Sequence, residues 1–99
     1  MIIRNAGSRP GTVRVTFQLP ATVWADSVHL VGDFNGWNRR SHPLVRTRDD
    51  DSWQIMLELA QGRPYQFRYL INGTDWHNDW HADRYAPNPF GGENSVLET

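Results

Sequence analysis

The sequence contains no cysteine and no lysine. Without cysteine there is neither a disulfide framework nor a thiol nucleophile, so packing alone must hold the fold. No apolar run approaches the ~18 residues that cross a bilayer, and the N-terminus shows no signal-peptide core. A cytoplasmic location with no membrane partner is therefore expected. Excess charge of one sign is missing too: ten basic residues face eleven acidic ones, leaving −1. That balance argues against disorder by self-repulsion and against a nucleic-acid partner, whose binders normally carry a basic excess. Helical periodicity is nearly absent, as are internal repeats, linkers and low-complexity stretches. Ninety-nine residues suit one domain, residues 1–99, with 1–9 as a loose lead-in.

What the chain does have is aromatic surface. Five Trp, four Phe and three Tyr are too many for a solvated tail. All ten basic residues are Arg, a planar fork of donors wherever one faces a ligand. Eight Gly and six Pro, spread along the chain, suit short strands joined by turns.

Period-2 alternation marks the strands. Val13, Val15, Phe17 and Leu19 alternate with Arg14, Thr16 and Gln18, between the Arg9-Pro10-Gly11 turn and Pro20. A second run covers Ser27 to Phe34, with Phe34 expected to continue its inward face. Leu44 and Val45 hint at a short strand before a hairpin tip at Asp49-Asp50-Asp51-Ser52. Trp53, Ile55, Leu57 and Leu59 alternate next. In the strongest strand Tyr65, Phe67 and Tyr69 face one way, and Gln66, Arg68 and Leu70 the other. Asn72-Gly73 is a hairpin signal, and Ser95-Val96-Leu97 makes a last strand. Strands at roughly ten-residue spacing predict an all-β antiparallel sandwich of about seven strands. The strand at 12–19 is a candidate free edge.

Two segments break the pattern. Gly32-Asp33-Phe34-Asn35-Gly36-Trp37-Asn38 puts a Trp in a turn, either folded back over the core or exposed as a platform. Asp75-Trp76-His77-Asn78-Asp79-Trp80 puts two Trp in a loop with no period by which to bury both. Trp24 and Trp80 fit core or surface equally well. Flat apolar rings beside Arg and Asn side chains suit a saccharide. Its C–H faces need a flat partner and its hydroxyl rim needs fixed donors and acceptors. A neutral polysaccharide also requires no net charge on its binder.

Gly32-Asp33-Phe34-Asn35-Gly36-Trp37, then Tyr65-Gln66-Phe67-Arg68-Tyr69-Leu70-Ile71-Asn72-Gly73, then Trp76, then Asn88-Pro89-Phe90-Gly91-Gly92-Glu93-Asn94-Ser95-Val96 follow one another in order. In these motifs the chain, from about Val13 onward, resembles the family 48 carbohydrate-binding modules. These are isoamylase N-terminal-type early-set domains, related to the glycogen-binding domain of the AMP-activated protein kinase β subunit. The resemblance implies an immunoglobulin-like early-set sandwich that binds α-1,4-linked glucan such as glycogen or starch. It implies that Trp37 and Trp76 stack on sugar rings. Arg68 stands where the kinase domain has a hydrogen-bonding Lys, and Asn94 matches a residue that binds hydroxyls. Phe90 replaces a Leu that reaches through the bound oligosaccharide, and Gly92 replaces a Thr contact that is lost here.

Other patterns read more simply as structure. His77 and His81, among Asp75, Asp79 and Asp83, lack the convergent third ligand of a metal site, so no metal or other cofactor is expected. Asp49-Asp50-Asp51 lacks the ligand spacing and central Gly of a calcium loop. No Gly-x-Ser-x-Gly elbow occurs, and a small sandwich offers an exposed face more readily than a cleft flanked by two carboxylates. The resulting expectation is a non-catalytic α-glucan binder of glycogen metabolism, acting alone or with a glycogen-metabolising enzyme as partner. The alternative is an early-set scaffold that has lost sugar binding and mediates protein–protein contact, for instance with an amylolytic enzyme.

Overall fold

A computed structural model describes all residues from Met1 to Thr99. It holds nine strands, more than the seven or so expected: β1 (Ile2–Ala6), β2 (Thr12–Leu19), β3 (Val28–Gly32), β4 (Val45–Arg46), β5 (Trp53–Ala60), β6 (Pro64–Ile71), β7 (Asp75–His77), β8 (Arg84–Pro87) and β9 (Glu93–Glu98). One sheet runs β1-β2-β5-β4, the other β3-β6-β9-β8, with β7 also paired to β6. Every pairing is antiparallel, as the early-set sandwich requires.

The additional strands are those without an alternating apolar face. Only Ile2 of β1 is even half-buried, so backbone pairing with β2 defines that strand, not side-chain burial. The first residues are thus a strand and not a loose lead-in. Their pairing also makes β2 internal, and leaves β1 and β4 as the edges of that sheet. Strands β7 and β8, three and four residues long, are too short to show a period.

The alternating positions meet between the sheets. Val15, Phe17, Val28, Leu30, Trp53, Phe67, Tyr69 and Leu97 all belong to one buried cluster, with Tyr65 packed at its margin. Phe17 and Phe67 contact edge-on, with ring centroids 5.1 Å apart. Each such side chain stabilises by about 1.5–3 kcal/mol on burial. Phe34 also reaches this cluster, 5.7 Å from Phe17, but from a 3-10 turn at Asp33–Asn35 and not from the end of β3. The turn after β6 has Asn72 and Gly73 both left-handed, at φ 54° and 72°. The Thr74 amide donates to the Ile71 carbonyl across them at 3.2 Å, and a three-residue connection, Asn72 to Thr74, folds β7 back along β6 with Ile71 paired to Asp75.

Candidate functional site

Because Phe67 and Tyr69 point into the core, the pleat sends Gln66, Arg68 and Leu70 to the outer face of the second sheet. Trp76 of β7 lies directly opposite Leu70 and shares that face. The turn after β3 and the loop between β8 and β9 wall it in. Between them lies a groove of about 720 Å³ whose lining includes Trp37, Arg68, Trp76, Phe90 and Asn94. All five residues singled out in the sequence are therefore brought together.

Trp37 is held by its own motif. Gly32 approaches β6 so closely that an added Cβ would meet the Gln66 carbonyl oxygen at 2.5 Å. Next, Gly36 and Trp37 are both left-handed, at φ 62° and 60°, and the Trp37 amide donates to the Gly32 carbonyl at 2.9 Å. A left-handed Trp is strained and persists only where its surroundings hold it. Asp33 provides that hold: one carboxylate oxygen accepts from the Trp37 indole Nε1 at 2.9 Å, the other from the Gln66 backbone N–H at 2.7 Å. Asn35 accepts from the Gly32 amide at 3.1 Å and donates to the Leu30 carbonyl at 2.9 Å. The acidic and amide residues of the motif fasten the turn, and the Trp is what they present.

Trp37 and Trp76 are each half-buried, neither bare nor sunk in the core. Trp76 is partly covered by two guanidinium groups, Arg39 with its Cζ 5.5 Å and Arg68 with its Cζ 5.9 Å from the ring centroid. Arg68 Nε is buried and has no acceptor. Phe90 is 94% exposed at the tip of the β8–β9 loop. Asn88 anchors that loop, its side-chain oxygen accepting from the Phe90 and Gly92 amides at 2.9 and 3.1 Å.

Asn94 is more enclosed than a contact residue read from a loop would be, at 8% exposure. It donates to the Gln66 side chain at 3.1 Å and accepts from Asn88 at 3.3 Å. One N–H and one lone pair remain for a ligand. Gln66, Asn88 and Arg39 are groove residues that the sequence reading passed over. Gln66 was legible, since it stands two positions from Arg68 on the same pleated face. Asn88 and Arg39 sit in irregular segments, where spacing carries no directional signal.

Trp24 and Trp80, undecided from the sequence, are both on the surface, at 91% and 80% exposure. Neither lines the groove. Trp80 borders a second cavity of about 450 Å³ with His77 and His81. The two indoles of the 75–80 segment thus serve different surfaces. Behind Trp80, Asp79 is buried and its carboxylate accepts from the Tyr69 hydroxyl at 2.7 Å. Burial, reinforced by that carboxylate, pushes the Tyr69 phenol well above its ordinary pKa.

The groove thus offers flat apolar rings, amide groups and guanidinium donors. Its single acid, Asp33, has both oxygens engaged and faces no second carboxylate, so the pair needed for glycoside hydrolysis is not assembled there. Residues 7–86 match the family described as Carbohydrate-binding module 48 (Isoamylase N-terminal domain). The chain belongs to that family. The matched stretch contains the turn around Trp37, strand β6 and Trp76, and ends before Phe90 and Asn94. Among curated proteins, the module is 38% identical over 68 residues to a 1,4-alpha-glucan branching enzyme of Butyrivibrio fibrisolvens, covering 65% of this chain and 10% of that enzyme. With the corresponding enzyme of Synechococcus elongatus it shares 32% over 89 residues, 86% of this chain and 11% of the enzyme. For that of Leifsonia xyli the figures are 36% over 78 residues, 75% and 10%. The module spans about a tenth of the length of these relatives. No helix is long and apolar enough to cross a membrane.

Proposed function

We propose that the module binds α-1,4-linked glucan, as glycogen or starch, on the outer face of the second sheet without chemically changing it. Glucosyl rings lie against Trp37 and Trp76, Arg68 and Asn94 hydrogen-bond the hydroxyl rim, and Phe90 wedges against the chain from the loop. The observation that carries this reading is the convergence of two half-buried indoles and a guanidinium with an unanswered buried Nε on one groove. Open platforms of this kind bind weakly, on the order of −4 to −7 kcal/mol. A role in glycogen metabolism is supported by relatives named as 1,4-alpha-glucan branching enzymes, and the cytoplasm is the location proposed for it.

Glycogen co-sedimentation tests it directly. Wild-type protein pellets with the polymer, and Trp37→Ala stays in the supernatant. Tryptophan fluorescence changes with maltoheptaose or β-cyclodextrin and not with cellohexaose. Absence of both responses to α-glucan refutes the reading.

A second reading, a scaffold for protein–protein contact with an amylolytic enzyme, draws on Trp24 and Trp80, exposed away from the groove. It predicts that Trp24→Ala and Trp80→Ala weaken association with a branching enzyme while glycogen binding is unchanged.

A further inference from the structure

The groove has more unanswered positive charge than a neutral saccharide requires. Arg39 and Arg68 both lie over the Trp76 ring. Neither has a carboxylate partner; Asp83, Glu58 and Glu98 pair instead with Arg4, Arg9, Arg14 and Arg84, and among the arginines left unpaired Arg39 and Arg68 are the two that line the groove. Asp33, the only acid in the lining, spends its oxygens on the Trp37 indole and the Gln66 amide. Two arginines against one aspartate leave the groove net positive on a chain whose total charge is −1. Arg68 Nε, like His29 Nδ1, is buried without an acceptor from the protein, so nothing within the chain answers the Arg68 guanidinium at that atom.

A hydroxyl can accept from Arg68, but it does not neutralise the two guanidinium charges that line the groove. A phosphate monoester does both. It carries close to two negative charges at neutral pH and three acceptor oxygens, which guanidinium forks match bidentately. We propose that the groove selects α-glucan bearing phosphate monoesters, the phosphoryl oxygens accepting from Arg39 and Arg68 while the glucosyl ring rests on Trp37. This rests on the glucan reading above and adds the substrate class to it. Asp33 stays compatible with such a ligand because both of its oxygens already face N–H groups.

The test compares amylopectin carrying phosphate monoesters with the same polymer after phosphatase digestion, by affinity electrophoresis of the whole protein. At low ionic strength the phosphorylated polymer binds about tenfold more tightly, as two charge-assisted hydrogen bonds to an exposed site would give. In about 1 M salt, where screening acts within ~3 Å, the ratio approaches one. Arg39→Gln reduces the low-salt ratio to about threefold or less, because one of the two forks is gone. Inorganic phosphate, added against a matched sodium chloride control, lowers retention by the phosphorylated polymer and leaves retention by the digested one unchanged. Equal binding of the two polymers by the wild type overturns the proposal and leaves the glucan reading standing. So does a ratio that Arg39→Gln does not move, or inorganic phosphate that depresses both polymers alike. Binding of neither polymer overturns the glucan reading and this inference together.

Discussion

Asp33 is the residue on which the presentation of Trp37 turns, and replacing it separates platform from ligand contact. In Asp33→Ala the Trp37 indole N–H and the Gln66 backbone N–H both lose their acceptor. Asp33 is exposed, so water replaces part of what is lost, and the stability cost falls at the low end for two such bonds, about 1–2 kcal/mol. The larger effect is on the turn. A non-glycine residue in the left-handed region carries strain of about 1 kcal/mol or more, and Trp37 at φ 60° keeps that strain only while its side chain is tied down. With the tie gone, the indole is free to leave its groove-lining position, and glucan affinity drops about tenfold, roughly 1.4 kcal/mol. Asp33→Asn retains one acceptor oxygen and turns the other into a donor facing an N–H. It should fall between the wild type and Asp33→Ala.

Urea unfolding gives the stability change, and glycogen affinity electrophoresis gives the binding change on the same three proteins. The order wild type, Asn, Ala in affinity, with a small and parallel loss of stability, is the expected result. If Asp33→Ala binds glycogen as the wild type does, with unaltered tryptophan emission, the carboxylate does not hold the platform and the argument fails.

Gly32→Ala should cost about 1–3 kcal/mol, because the new Cβ would meet the Gln66 carbonyl oxygen at 2.5 Å and the Phe67 Cβ at 2.8 Å, neither of which can give way; urea unfolding measures this. Phe90→Ala should change stability by less than about 0.5 kcal/mol, since the ring is 94% exposed, while weakening glycogen retention several-fold in the same electrophoresis. Tyr69→Phe should cost about 1–3 kcal/mol by leaving the buried Asp79 carboxylate without its hydroxyl donor. Because the folded-state pKa of Tyr69 is raised, that stabilisation is full below the ~10 of an unfolded tyrosine and is lost as pH climbs beyond it. Thermal melts across pH 8–11 should therefore show an alkaline decline in the wild type that Tyr69→Phe lacks.

How far the sequence could be read depended on whether a residue sat in a periodic element. Val15, Phe17, Phe67 and Tyr69 were legible as core because alternation fixes which face a strand residue takes. Arg68 was legible as outward for the same reason. Asn72-Gly73 was legible because both positions require a positive φ. Strand β1 was not, because an edge defined by backbone pairing leaves no hydrophobic signature, and four of its five residues are exposed. Trp76 and Trp80 show the same limit inside a loop. Four residues apart with similar neighbours, they part because β7 extends only from Asp75 to His77, which puts Trp76 in register with Leu70 and leaves Trp80 beyond the sheet. Asn94 was singled out by resemblance and lines the groove, but its enclosure by Gln66 and Asn88 depends on contacts 28 and 6 residues away.

The outer face of the second sheet explains why binding groups and structural groups are not separable here. Val31, Leu70 and Val96 are almost wholly buried, yet none belongs to the cluster between the sheets. Each lies opposite a groove-face residue on a neighbouring strand: Val31 opposite Arg68, Leu70 opposite Trp76, Val96 opposite Gln66. Side chains opposed in this way contact one another directly, so the residues that line the groove also shield a second apolar layer from water. The stem of an arginine and the body of an indole suit this double duty, since each buries apolar atoms while keeping a polar or flat surface outward. A sheet face open to solvent would normally carry polar residues at these valine and leucine positions. Their burial fixes the undersides of Arg68 and Trp76, so that a ligand meets side chains already ordered by packing and less conformational entropy is lost on binding.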